Sequence, residues 1–103
     1  ALPIFENYIV TLVMATRRPL GFDADLARWI SIGASPRGGI GLDRCARADA
    51  WLRGQAFVTP DNVRAVAYPV LRHRLQLSYD AVADGVSADQ VLQRILDKVA
   101  IPA

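Results

Sequence analysis

With 103 residues the chain is expected to hold one domain with a single modest core. A 52% share of hydrophobic residues and a mean hydropathy of +0.20 are high for that size, so part of the apolar surface is expected to meet another domain. Eleven arginines and one lysine face ten acids and leave a net charge of only +2, with the signs interspersed along the chain, which argues against a nucleic-acid surface. The apolar run Ile9 to Ala15, flanked by Glu6, Asn7, Arg17 and Arg18, falls well short of the roughly 18 residues of a membrane span, and no basic stretch precedes it, so neither a span nor a signal peptide is expected.

The first helix starts near Pro3, places Phe5, Tyr8, Ile9, Leu12 and Val13 at helical spacing, and is closed by Pro19. Arg17 and Arg18 suit its negative end. Leu20 to Ser35 reads as a connector with a short extended or helical piece. A second helix runs from Pro36 to Arg53 and stops at Gly54. Cys45, beside Leu42 and Ala46, reads as a small core residue, Trp29 and Trp51 as core anchors, and Arg44 and Arg47 as a solvated face. Gly38, Gly39 and Gly41 each cost about 1 kcal/mol relative to alanine inside a helix. Either a bound phosphate or another backbone comes close to them, or they allow tight packing against Ile30 or Ile32.

Thr59 and Pro60 open a third helix, with Asp61 in the first turn and Val58 stapled onto Val63. Pro69 predicts a kink or a stop around Ala67 or Tyr68. Residues 75–81 alternate apolar and polar and so favour an extended segment, ended by Gly85. Ser87 and Gln90 form a capping box, Val86 and Val91 a staple, and the last helix carries Val91, Leu92, Ile95, Leu96 and Val99 on one face.

The chemistry concentrates at the start of the second helix. Ser35 suits the N-cap, Pro36 the first helical position, and Arg37 falls on the first turn, beside unpaired backbone N–H groups and the positive end of the dipole. Such a turn, with Gly38 keeping it bare, favours an anion, above all a phosphate; the plainer alternative is a solvated arginine on a capped helix. Arg72, His73 and Arg74 form a second candidate, an interface for an anion, a neighbouring subunit or a partner, against a structural role beside the core. Cys45 and His73 are the only cysteine and histidine, so no metal cluster, internal disulfide or nucleophilic triad is expected, and the cysteine usage points to the cytoplasm.

In chain order, Ile9 to Arg17 (IVTLVMATR), Gly33 to Arg37 (GASPR), Val58 to Val63 (VTPDNV) and Val70 to Arg74 (VLRHR) resemble the C-terminal helical lid of MoxR-type AAA+ ATPases, over nearly the whole chain. Gln55, where the family usually has arginine, and Asp49, a charge in a small-residue helix, depart from the pattern; neither touches GASPR. The resemblance implies an all-α bundle of about four helices, with one short extended segment near 75–81, spanning residues 1–103 as the lid of a larger ATPase whose base domain is absent. It implies that Arg37 is the sensor 2 residue, shaped by Ser35, Pro36 and Gly38, and that the parent binds ATP and Mg, neither held tightly by the lid alone. It further implies a hexameric ring, partners with a von Willebrand factor A domain, and chaperone-like assembly or metal loading of clients, with no nucleic acid and no membrane. The chain has no G-x-x-x-x-G-K-S/T phosphate loop and only one lysine, Lys98, so no catalytic residue is expected within it. A helix-turn-helix-like nucleic-acid module and a helical protein-interaction domain stand as alternatives.

Overall fold

Residues 4–102 are described by a computed structural model. The helices are α1 (Ile4–Arg17), α2 (Ala24–Trp29), α3 (Pro36–Leu52), α4 (Pro60–Leu71), α5 (Tyr79–Ala83) and α6 (Ala88–Lys98). Two short strands, β1 (Ile30–Ile32) and β2 (Gln76–Leu77), pair antiparallel, and a 3-10 turn at Pro19–Gly21 follows α1. The four long helices form the expected bundle, and the two short ones lie within connectors. The expected start at Pro3 lies outside the described residues, and among those described no helix is long and apolar enough to cross a membrane.

The caps account for most helix starts. Ser35 Oγ accepts the Arg37 N–H (3.3 Å) and Asp23 Oδ1 accepts the Asp25 N–H (3.0 Å). At Ser87 the box closes from both sides, Oγ accepting from Gln90 N (3.2 Å) and Gln90 Oε1 from Ser87 N (2.8 Å). The faces these helices bury meet in one core: Tyr8, Leu12 and Ala15 of α1, Leu42 and Ala46 of α3, Val63, Ala67 and Leu71 of α4, and Val91, Leu92 and Ile95 of α6.

Several expectations are corrected. The buried stripe of α3 advances in steps of four, Gly38, Leu42, Ala46 and Ala50, so Cys45 and Trp51 fall off it. Cys45 is exposed and Trp51 is 79% exposed, whereas Trp29 packs partly buried against the core. Leu52 and Phe57 lie on the surface with Trp51, which explains how so apolar a chain holds only a modest core. Arg44 and Arg47 are exposed as expected, and Arg47 also pairs with Asp43 and Glu6 and lies over the Phe5 ring.

Pro69 does not interrupt α4, which continues to Leu71. Proline at that position removes only the bond to the Ala65 carbonyl, and Ala65 is on an exposed face where water can replace it. The extended segment is confined to Gln76 and Leu77. Ser78 Oγ caps the next turn by accepting the Ala81 N–H (3.2 Å), so residues 79–83 coil into α5. Gly39 and Gly41 pack against the helices α1 and α4, not against Ile30 or Ile32 as expected. A Cβ at Gly41 would stand 3.1 Å from Val70, and one at Gly39 3.6 Å from Val13, while Ile32 is exposed.

Candidate functional site

The turn that carries Arg37 is bolted to the end of α1. A Cβ at Gly33 would lie inside the radius of the Thr16 carbonyl and 2.8 Å from Arg17 Cα, so only glycine lets the connector pass there. Beyond it, the Ala34 N–H donates to Thr16 Oγ1 (2.9 Å), and Arg17 Nη1 donates to the Ala34 carbonyl (3.1 Å). Thr16 Oγ1 in turn donates to the Val13 carbonyl (2.6 Å). Thr16 and Ala34 are both buried, so the two bonds of the Thr16 hydroxyl are shielded from water, and with the part-buried bond from Arg17 they hold the backbone two residues ahead of Pro36 in one place.

From that mount α3 begins. Ser35 takes the Arg37 N–H on its side chain and the Gly38 N–H on its carbonyl (2.9 Å), which fixes the first turn. The Arg37 side chain is exposed and pairs with no carboxylate or carbonyl among the described residues. The first turn of α3 therefore offers a rigidly placed backbone with a free guanidinium at a positive dipole end, an arrangement suited to an anion. Beside it an apolar groove between α1 and α3 is lined by Ile9, Val10, Val13, Met14, Pro36 and Ile40.

Helices α3 and α4 pack antiparallel, and this is the most extensive helix contact in the molecule. The hairpin returns the chain so that the two motifs, thirty-odd residues apart in sequence, meet. A Cβ at Gly38 would lie 3.2 Å from Leu71 Cδ2 and 3.6 Å from Arg74 Cδ. The three residues of the second motif separate in role. Arg72 grips Asp89 with two bonds, Nε to Oδ1 (2.7 Å) and Nη2 to Oδ2 (3.0 Å), tying the end of α4 to the start of α6. That pairing holds the Asp89 carboxyl below its ordinary value and raises the Arg72 guanidinium. His73 and Arg74 are exposed.

Three residues that position the turn are marked in the sequence only as members of the IVTLVMATR and GASPR runs, with no role in the site attached. Thr16, Arg17 and Gly33 act through contacts 17 or 18 residues apart in the chain, and Arg17 on its own reads only as a dipole partner. At the far end of α3, Asn62 is the buried hub of a further network. Its Oδ1 accepts from Gln55 Nε2 (2.9 Å) and Thr59 N (2.9 Å), and its Nδ2 donates to Asp49 Oδ2 (2.8 Å) and Gln55 Oε1 (2.8 Å). The two departures from the family pattern, Asp49 and Gln55, thus share one partner, and Asn62, assisted by Arg53, holds the Asp49 carboxyl below its ordinary value. Among the described residues no group of three or more His, Cys, Asp or Glu could hold a metal ion.

The family model for the AAA lid domain matches residues 24–95. The chain is 46% identical over 98 residues to Chaperone MoxR1 of Mycobacterium tuberculosis, covering 93% of this chain and 26% of that protein. It is likewise 46% identical over 83 residues to Protein MoxR of Paracoccus denitrificans, covering 76% of this chain and 24% of that protein. A solved structure of a candidate ATPase from Cytophaga hutchinsonii has a TM-score of 0.92 and 40% identity, covering 99% of this chain and 31% of its own. The chain thus spans about a quarter of the length of the curated relatives it matches.

Proposed function

The chain belongs to the AAA lid domain family and is of the MoxR type, and from that premise we propose that residues 1–103 are the lid of a larger AAA+ ATPase in which Arg37 is the sensor 2 arginine. The observation that carries this reading is the free guanidinium of Arg37 on a turn whose backbone is held by Thr16, Arg17 and Gly33. A side chain already paired within the lid would have to break that pair to reach a nucleotide; Arg37 has none to break. Its planar fork matches two phosphate oxygens, and Ser35, Pro36 and Gly38 shape the turn from which it extends.

In this reading ATP and Mg are held by the base domain, which supplies the phosphate-cradling loop and the acidic residues, and the lid closes on the phosphates from the other side. The apolar groove between α1 and α3 flanks the same turn and suits contact with the base domain. When the terminal phosphate leaves, the contact to Arg37 is lost and the lid turns as one body, because its helices share one core. Such closure within a hexameric ring would drive chaperone-like assembly or metal loading of clients in the cytoplasm, with von Willebrand factor A domain proteins as partners.

In the full-length ATPase, Arg37→Ala is predicted to lower steady-state ATP turnover about tenfold or more, since a charged contact that strengthens in the transition state contributes several kcal/mol. Arg37→Lys should recover only part, because lysine keeps the charge and loses the fork. Turnover equal to wild type in Arg37→Ala returns Arg37 to the role of a solvated arginine.

A further inference from the structure

Resting on the sensor reading of Arg37, we infer that Arg74 is a second side chain directed at the nucleotide phosphates, its stem packed against Gly38, the residue that follows Arg37. Gly38 is buried, and the space a side chain would take there is closed by Ala34 Cβ at 3.1 Å and Leu71 Cδ2 at 3.2 Å. With no side chain between them, the stem of Arg74 comes against the residue that follows Arg37, its Cδ 3.6 Å from where a Cβ would be. The hairpin of α3 and α4 makes this approach a fixed property of the fold, and Leu71, buried three residues before Arg74, anchors it.

The disposition of the other arginines sharpens the point. Seven of the eleven are committed within the fold to carboxylates, carbonyls or the Tyr8 hydroxyl. Among the described residues Arg18, Arg37, Arg44 and Arg74 have no such partner. Two residues before Arg74, Arg72 takes both oxygens of Asp89, so that carboxylate is already occupied. Two exposed arginines left unpaired on adjoining turns give this end of the lid a positive charge that no carboxylate among the described residues balances, and an anion bound between them would balance it. A polyphosphate offers oxygens on more than one phosphorus, enough for two planar forks, which is the ligand class this pair fits.

The test uses the full-length ATPase, with ATP affinity read by equilibrium titration and KM and kcat from steady-state turnover. Arg74→Met keeps the stem over Gly38 and removes the charge. It is expected to weaken ATP binding and raise KM about tenfold, the usual loss for one charge-assisted bond, with a smaller effect on kcat and an unchanged melting temperature. Arg74→Lys, which keeps the charge and loses the fork, should recover only part of the affinity, and the combined Arg37→Ala and Arg74→Met loss should depart from the product of the single losses, because both side chains act on one ligand. Wild-type ATP affinity in Arg74→Met, with Arg37→Ala still impaired, overturns the inference and leaves the sensor reading intact. Wild-type behaviour of Arg37→Ala as well removes the sensor reading itself.

Discussion

Arg37 owes its position to atoms on another segment, and Gly33 is the residue on which that dependence is most severe. Any side chain at Gly33 has to displace either the Thr16 carbonyl or the connector, and both belong to a buried hydrogen-bonded unit with Ala34. Gly33→Ala is therefore predicted to destabilise the chain by about 2–4 kcal/mol, the range for overpacking combined with loss of a buried bond. A fall in the urea midpoint checks this; an unchanged midpoint means that the turn is not held as described. Arg37 itself contrasts with Gly33. It is exposed and unpaired, so its removal should leave folding nearly unaffected.

At the scale of elements, three ion pairs bind α6 to the rest of the bundle: Arg72 with Asp89 at the end of α4, and Arg94 with both Asp23 and Asp25 at the start of α2. The Asp23 carboxyl is held below its ordinary value by the bond from Arg94 and then by the Asp25 N–H that it caps, against an opposing effect of burial. The Asp23 and Asp89 carboxylates thus titrate lower in the folded chain than in the unfolded one. Their contribution is fully present above the unfolded value near 3.8 and is lost as the pH falls through the lowered folded values. The urea midpoint should hold steady from about pH 7 to about pH 5 and drop below about pH 4. In Arg94→Gln that acid drop should be shallower, and an equally steep drop would show that the Asp23 pair does not carry it.

Elements whose signals are local were legible in the sequence. Ser35 with Pro36 and Ser87 with Gln90 mark helix starts by chemistry within four residues, and both appear where expected. Misreadings arose where a neighbouring element decides. Trp51 looks like a core anchor until the four-residue stripe of α3 places Ala50 inside and Trp51 outside. Residues 79–81 alternate like a strand, yet the Ser78 cap turns them into helix. Likewise, Arg37 stands out as a candidate because its cap and dipole are local, while the contact of Gly33 with Thr16 that mounts its turn is made only in the folded chain.

Taken whole, the molecule is elongated, 44 × 25 × 21 Å, and α3 carries Arg37 at its start and Trp51 near its other end. At 1.5 Å per residue those two points lie about 21 Å apart. The helix is clamped along that length, by Thr16 and Arg17 near its start and by the Asn62 network near its end. A contact made or lost at Arg37 is therefore passed to the whole lid and not absorbed by one turn. The most direct measurement is the distance between a probe on the lid and one on the base domain of the full-length ATPase, compared between the ATP-bound and ADP-bound states. The wild type should show a clear change in that distance, and Arg37→Ala, saturated with ATP, should stay at the ADP-bound value; an unaltered change in Arg37→Ala would contradict the coupling of Arg37 to lid movement.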